Sequence, residues 1–199
     1  MKTHRLWGMR CYLSGAMDNS DDNGKGWRKR ITPFLESLGV VVLNPCEKPM
    51  PPNPELIEVE KRDFRETLKI SRDFDTLSSR FGLLRVLDLR MVDMADFLII
   101  NLDNDIPSCG TYEEMVRANS MKNPILIRCV QGKTKIPNWI WGMIPHEHVF
   151  GTWKDLKHYL LHVNSDEEVD HMKRWMFFDY SQLIPKVSVE EAILNTVVK

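Results

Sequence analysis

The chain has 199 residues, 43% of them hydrophobic and 28% charged, and a net charge of −1, enough for one full core and without the basic footprint of a binder of nucleic-acid polymers. No apolar run approaches the roughly 18 residues a membrane span needs, and the basic stretch Met1 to Arg10 has no apolar signal core. Cys11, Cys46, Cys109 and Cys129 form no CxxC pair and three sit in or beside apolar runs, which predicts free thiols in a reducing, cytoplasmic compartment.

Arg10 to Ser14 reads as a short strand running into Gly15, and Ala16 to Gly26, rich in Asp, Asn, Ser and Gly, reads as a loop. Trp27, Ile31, Phe34, Leu35 and Leu38 have helical spacing, and Gly39 suits the end of that helix. Val40 to Leu43 is a continuous apolar run, predicting a buried parallel strand that ends at Asn44-Pro45. The prolines between Glu47 and Pro54 exclude helix and central strand. Glu55 to Arg80 is charged and helical with ambiguous breaks. Leu84, Leu87, Met91 and Met94 form the apolar stripe of a helix over Leu84 to Asp96. Phe97 to Ile100 is a strand, Asn101 to Ser108 a loop, Thr111 to Met121 a helix and Pro124 to Ile127 a further strand.

This alternation predicts an α/β fold: a doubly wound parallel sheet with helices on both faces. Past Val130 the character changes. Ile136 to Pro145 is aromatic and punctuated by proline, Thr152 to Val163 is an amphipathic helix, and Ser188 to Val198 has the pattern of a last helix. The expected organisation is an α/β domain over residues 1–130 and a C-terminal extension over 131–199, packed on the domain or at a subunit interface.

Ligands of open parallel sheets bind beyond the carboxyl ends of the strands. Three segments fall there: the turn Ser14-Gly15-Ala16-Met17, the turn at Asn44, and the loop leading to Gly110. Gly15 permits close approach of a ligand to the backbone, although the dinucleotide pattern GxGxxG is absent. The stretch Ser108-Cys-Gly-Thr-Tyr-Glu-Glu114 is more informative. Amides at this helix start, with the Ser108, Gly110 and Thr111 positions, suit an anion or a sugar hydroxyl. Glu114 reaches the same crevice from about one turn further on, whereas Glu113 points about 100° away. The competing reading is plain helix capping by Ser108 or Thr111, with the two glutamates favouring the positive end of the helix.

Four motifs, in order, resemble the nucleoside 2-deoxyribosyltransferase family, including its nucleoside 5′-monophosphate N-glycosidase branch. They are Tyr12-Leu-Ser-Gly-Ala-Met17; Trp27 with its helix and Gly39 to Pro45; Asp88 with Val92 and Ala95-Asp96; and Gly110-Thr111 with Glu114 and Ala118. The resemblance spans roughly Cys11 to Ile127 and implies a Rossmann- or flavodoxin-like fold. It implies Glu114 as nucleophile, Asp88 as a carboxylate near the sugar, and Tyr12 with Ser14-Gly15 holding Glu114 and bordering the sugar. Ser108 is similar to a phosphate-contacting serine of the monophosphate branch. Two positions depart: Val116 replaces a glycine, which predicts different packing behind Glu114, and Met17-Asp18 stands where an arginine is common. Lys25, Arg28 or Arg30 would then supply positive charge. The segment from Pro49 to about Phe81 is longer than the family pattern. Pro137 to Tyr180 is similar to an extension of phage-encoded relatives.

The implied chemistry cleaves an N-glycosidic bond through a glycosyl–Glu114 ester, with retention. The sugar passes to another base or to water. Asp88, a protonated neighbour or water would protonate the departing base. No cofactor and no metal is expected: His146, His148, His158 and His162 lack a third ligand. Trp139, Trp141 and Trp153 are candidates for stacking on a base, but aromatic residues near prolines more often cover a core. The expected partners are a nucleoside or nucleotide and a free base. Relatives that build sites across subunits imply a homo-oligomer, and Trp175 to Tyr180 resembles a docking segment. The alternatives are a nucleotide-binding sensor without turnover and an interaction protein using the aromatic C-terminal third.

Overall fold

The computed structural model describes residues 4–51, 53–59, 61–165 and 173–177. Five strands form one sheet: β1 (Arg10–Gly15), β2 (Val41–Leu43), β3 (Phe97–Leu102), β4 (Ile125–Cys129) and β5 (Val149–Phe150). All neighbours are parallel, in the order β2-β1-β3-β4-β5. The helices are α1 (Lys25–Ser37), α2 (Pro54–Val59), α3 (Arg62–Ile70), α4 (Phe74–Met94), α5 (Cys109–Ser120), α6 (Asn138–Trp141) and α7 (Trp153–Asn164).

The two-residue period of the strands divides the core. Cys11, Leu13, Phe97, Ile99 and Leu126 point to the face covered by α1 and α7, where Ile31, Leu35, Leu156 and Leu160 meet them. Tyr12, Leu98, Ile100, Ile125 and Ile127 point to the other face, against Val92 of α4 and Met115 and Ala118 of α5. Because both faces are covered, the central strands read as unbroken apolar runs. The doubly wound α/β sheet expected from the alternation is the one observed.

Two local devices fix the start of the sheet. α1 ends in a paired-carbonyl cap: Gly39 at φ 76° donates to Glu36 O (2.9 Å), and Val40 donates to Leu35 O (3.1 Å). Asp96 then ties β1 to the beginning of β3, accepting from the Arg10 amide at 2.7 Å and from its guanidinium at 2.8 and 3.0 Å.

Several expectations are corrected. β2 is an edge strand with Val41 50% exposed, so it is not a fully buried one. The apolar stripe does not extend to Met94, which is 40% exposed; Val92 is the residue that turns inward. α4 begins already at Phe74, where Asp73 accepts from the Thr76 amide at 3.1 Å, so no separate helix starts at Leu84. The sheet also continues past residue 130, because β5 pairs with β4. The last helix expected at Ser188 to Val198, and the end of the Trp175 to Tyr180 segment, lie outside the described residues.

Gly24 caps α1 at φ 70°, and a Cβ there would lie 2.4 Å from both the Ala16 carbonyl oxygen and Arg28 Nη1. Gly24→Ala is expected to cost about 1–3 kcal/mol through backbone strain, measured as a lower midpoint of thermal unfolding. An unchanged midpoint would show that this turn carries no such constraint.

Candidate active site

β1 and β3 are neighbours, but the chain leaves them toward opposite faces, through α1 and through α5. This is the topological switch point at which open α/β sheets hold ligands. A cleft of about 500 Å³ opens there. Its wall brings together Gly15 and Met17 after β1, Asp88 from α4, and Ser108, Gly110, Thr111 and Glu114 from the start of α5. Four expected residues stand outside the wall. Tyr12 and Ser14 are fully buried behind Glu114, so they hold it and do not border the sugar. Ala16 does not line the cleft, and Asn44 is buried, with its side-chain oxygen accepting from the Cys46 amide at 3.0 Å.

The centre of the site is Glu114. Tyr12 Oη donates to Oε1 at 2.7 Å, and Ser14 Oγ donates to Oε2 at 2.5 Å. Both donors sit on β1 with the same parity, so the pleat aims both at the face that α5 covers. Burial raises the pKa of Glu114 to about 7; the Ser14 and Tyr12 hydrogen bonds oppose the rise, as does the Arg28 charge, and the Asp88 charge adds to it. Burial, followed by the nearby Glu114 charge, pushes the Tyr12 phenol well above its ordinary value, so it stays a donor.

Charges that no motif announced complete the surroundings. Lys48 Nζ lies 3.3 Å from Asp88 Oδ1 and donates to Pro45 O at 2.6 Å. Arg65, on α3, lines the cleft with its side chain 7% exposed, and its Nη1 lies 3.2 Å from Asp18 Oδ1. Of the three cations considered for the missing arginine, only Lys25 lines the cleft. Arg30 is exposed and lies outside it. Arg28 is buried with its donors committed to the carbonyls of Leu13 (3.1 Å), Gly24 (2.8 Å) and Gly15 (3.0 Å), which makes it a brace for the β1 turn. The only trace of Arg65 and Lys48 in the sequence was their place in or beside the long segment after β2.

Other expectations resolve against the site. Ser108 takes the cap position of α5, yet its hydroxyl pairs with Thr111 Oγ1 at 2.5 Å and makes no capping bond. Glu113, expected to point away, also lines the cleft, where it pairs with Arg85. Val116 is 54% exposed, so the packing behind Glu114, made by Met115 and Ala118, does not involve it. Trp153 stacks on Trp27 with ring centroids 5.6 Å apart, and neither it, Trp139 nor Trp141 lines the cleft. Phe81, Leu84 and Leu89 supply its apolar wall instead. His148 is buried and 2.9 Å from the Tyr159 hydroxyl, and among the described residues no group of three or more His, Cys, Asp or Glu could hold a metal ion. The four cysteines are free thiols, Cys46 and Cys109 in the cleft wall. Among the described residues no helix is long and apolar enough to cross a membrane.

No protein-family model matches the chain, and no curated protein matches it in sequence. Its fold is shared with solved structures. A 2-deoxyribosyltransferase from the psychrotolerant bacterium Bacillus psychrosaccharolyticus superposes with a TM-score of 0.52 at 18% identity, over 75% of this chain and 91% of that one. A 2-desoxiribosyltransferase from Leishmania mexicana matches at 0.42 and 16%, over 62% of this chain and 66% of that one. A CMP N-glycosidase from Clostridium botulinum matches at 0.41 and 18%, over 76% and 97%. The class defined is therefore the flavodoxin-like parallel α/β fold, with a cleft at the β1/β3 switch point. The solved structure that supports this fold assignment is a 2-deoxyribosyltransferase, one of the kinds the sequence motifs resemble.

The pKa of Glu114 gives a sign for stability. A native value near 7, above the ordinary 4.5, means that the folded state holds this proton more tightly than the unfolded chain. The resulting stabilisation is whole below about pH 4.5 and is lost as pH rises to about 7. Glu114→Gln cannot ionise, so it should gain about 1–3 kcal/mol on the wild type between pH 4.5 and 8, read from denaturant midpoints. A difference independent of pH would contradict the assignment.

Proposed function

We propose that this protein cleaves the N-glycosidic bond of a (deoxy)nucleoside or nucleoside 5′-monophosphate, with Glu114 as nucleophile, and passes the sugar to another base or to water. The observation that supports this most is the pair of hydroxyls, Tyr12 and Ser14, holding both oxygens of one carboxylate inside a cleft. Fixed in this way, the carboxylate needs no reorientation when positive charge develops on a sugar ring above it. A Glu114 oxygen bonds to C1′ as the C1′–N bond breaks, and the bonding electrons leave with the base, which takes up a proton. Water or an acceptor base then attacks C1′ from the vacated face, freeing the carboxylate.

The surroundings fit these steps. Asp88 adds negative potential beside the developing cation while Lys48 holds its side chain. Phe81, Leu84 and Leu89 offer an apolar face for a base, and Ser108, Gly110 and Thr111 at the start of α5 suit the sugar or a 5′-phosphate. The resemblance of the motifs and the shared fold of the deoxyribosyltransferase point the same way. We further infer a homo-oligomer working in the cytoplasm, with the division at residue 130 separating the catalytic part from an extension whose β5 adds the fifth strand and whose α7 packs on one face of the sheet. The alternative, a sensor without turnover, rested on Val116 and Met17-Asp18. Val116 is a surface residue and Asp18 is paired with a cation, so both departures are accommodated.

Incubation with nucleosides and their 5′-monophosphates, with and without a free acceptor base, tests the reading: base release or base exchange is expected. Glu114→Gln should lower kcat by about 10³-fold or more, and Tyr12→Phe by about 10–100-fold. Thermal stabilisation by nucleotides without any product would favour the sensor. Because only ionised Glu114 attacks, kcat/KM should rise with pH through about 7 and then level off. A profile flat from pH 5 to 9 would remove Glu114 from the chemistry.

A further inference from the structure

A second hollow of about 180 Å³ adjoins the cleft and shares four of its wall residues, Asp18, Asn19, Arg65 and Phe81. The remaining wall is Arg62, Glu66 and Lys69, all from α3. Asp88 and Glu114 line the cleft but not this hollow, whose own carboxylates are Asp18 and Glu66, so it extends the cleft on the side away from the Glu114 centre. Arg62, Arg65, Glu66 and Lys69 are spaced three and four apart, which places them along one face of α3. Leu68, buried, anchors the helix.

The charges are arranged for exchange with a ligand. Arg65 is almost wholly buried, while its partner Asp18 is 57% exposed on the loop after β1. Lys69 is held by Glu66 at 2.8 Å, with both side chains more than half exposed. An exposed pair such as Lys69–Glu66 contributes little, about 0–1 kcal/mol, so a multiply charged anion can take Lys69 from Glu66 at small cost. Guanidinium groups match phosphate oxygens in a bidentate manner. The carboxylate end of the cleft repels anions, which orients a substrate with its sugar at Glu114 and its anionic tail toward α3.

We propose that this annex binds the outer phosphates of a nucleoside di- or triphosphate, so that the substrate carries a polyphosphate tail. The inner phosphate lies at the start of α5, and Arg62, Arg65 and Lys69 take the groups beyond it. The proposal rests on the nucleotide reading of the cleft. It gives the segment between β2 and α4 a role in substrate choice.

Calorimetric titration of the Glu114→Gln protein with the common nucleoside 5′-mono-, di- and triphosphates tests this without turnover. For at least one base, affinity should rise about tenfold or more from mono- to triphosphate at moderate salt. The gain should disappear when Arg62→Gln and Lys69→Gln, both at exposed positions, are added, and also with Arg65→Gln, each variant being checked for folding by its thermal midpoint. Equal affinity for mono- and triphosphates, binding of neither, or a gain that survives the Arg62/Lys69 replacements overturns the annex. Base release by the wild type is scored separately. Release without a triphosphate preference leaves the glycosidic reading standing and removes the annex, and a preference without release does the reverse.

Discussion

Two hydroxyls on the first strand grip a carboxylate on a helix 100 residues later, and the rest of the site is arranged around that contact. Tyr12 and Ser14 are two apart on β1, so their side chains leave the sheet on the same face. α5 crosses that face because β3, its own strand, is the neighbour of β1. The sheet order thus creates the meeting of strand and helix, and Met115 and Ala118, fully buried, fix the depth at which the helix sits. Without the parallel pairing of β1 with β3, no local feature of either segment would bring the three side chains together.

The grip also sets an electrostatic compromise. A carboxylate removed from water prefers to be protonated, whereas a nucleophile must be charged. The hydroxyls and Arg28 favour the charged form; burial and Asp88 oppose it, leaving the pKa at about 7. Arg28 serves this balance while bracing the carbonyls of the β1 turn. Burial lowers the pKa of Arg28, and the negative groups around it oppose that change. The acidic core of the cleft therefore depends on cations placed around it, Arg28 from α1, Lys48 from the proline-rich turn and Arg65 from α3. This distribution suits a substrate that becomes positive at one end and is anionic at the other.

What could be read from the sequence follows from how local each cause is. The strands were legible because a strand covered on both faces must be a run such as Phe97 to Ile100, and Gly39 was legible because a left-handed cap favours glycine. Glu114, Tyr12 and Ser14 came from motif resemblance; for Glu114 the spacing alone favoured plain helix capping. β5 was missed because two residues, Val149 and Phe150, carry no period, and their pairing depends on β4 alone. Met94 was misplaced because the helical stripe does not reveal where α4 leaves the sheet. Arg65 was invisible for a similar reason. One arginine in a charged helix looks like any other until tertiary packing buries it. The tryptophans misled in the opposite direction, since aromatic surface can serve a core as readily as a base, and Trp153 packs on Trp27.

The account stands most directly on whether Glu114 bonds to the sugar. A nucleoside carrying fluorine at C2′ destabilises positive charge at C1′ and so slows release of a glycosyl enzyme once it has formed. After incubation with such a compound, or with its 5′-phosphate, intact-mass measurement and peptide mapping should find the added sugar on the peptide containing Glu114, and none in Glu114→Gln. A sugar mapped to another residue, or base released without any adduct while Glu114→Gln keeps wild-type turnover, would contradict the central claim.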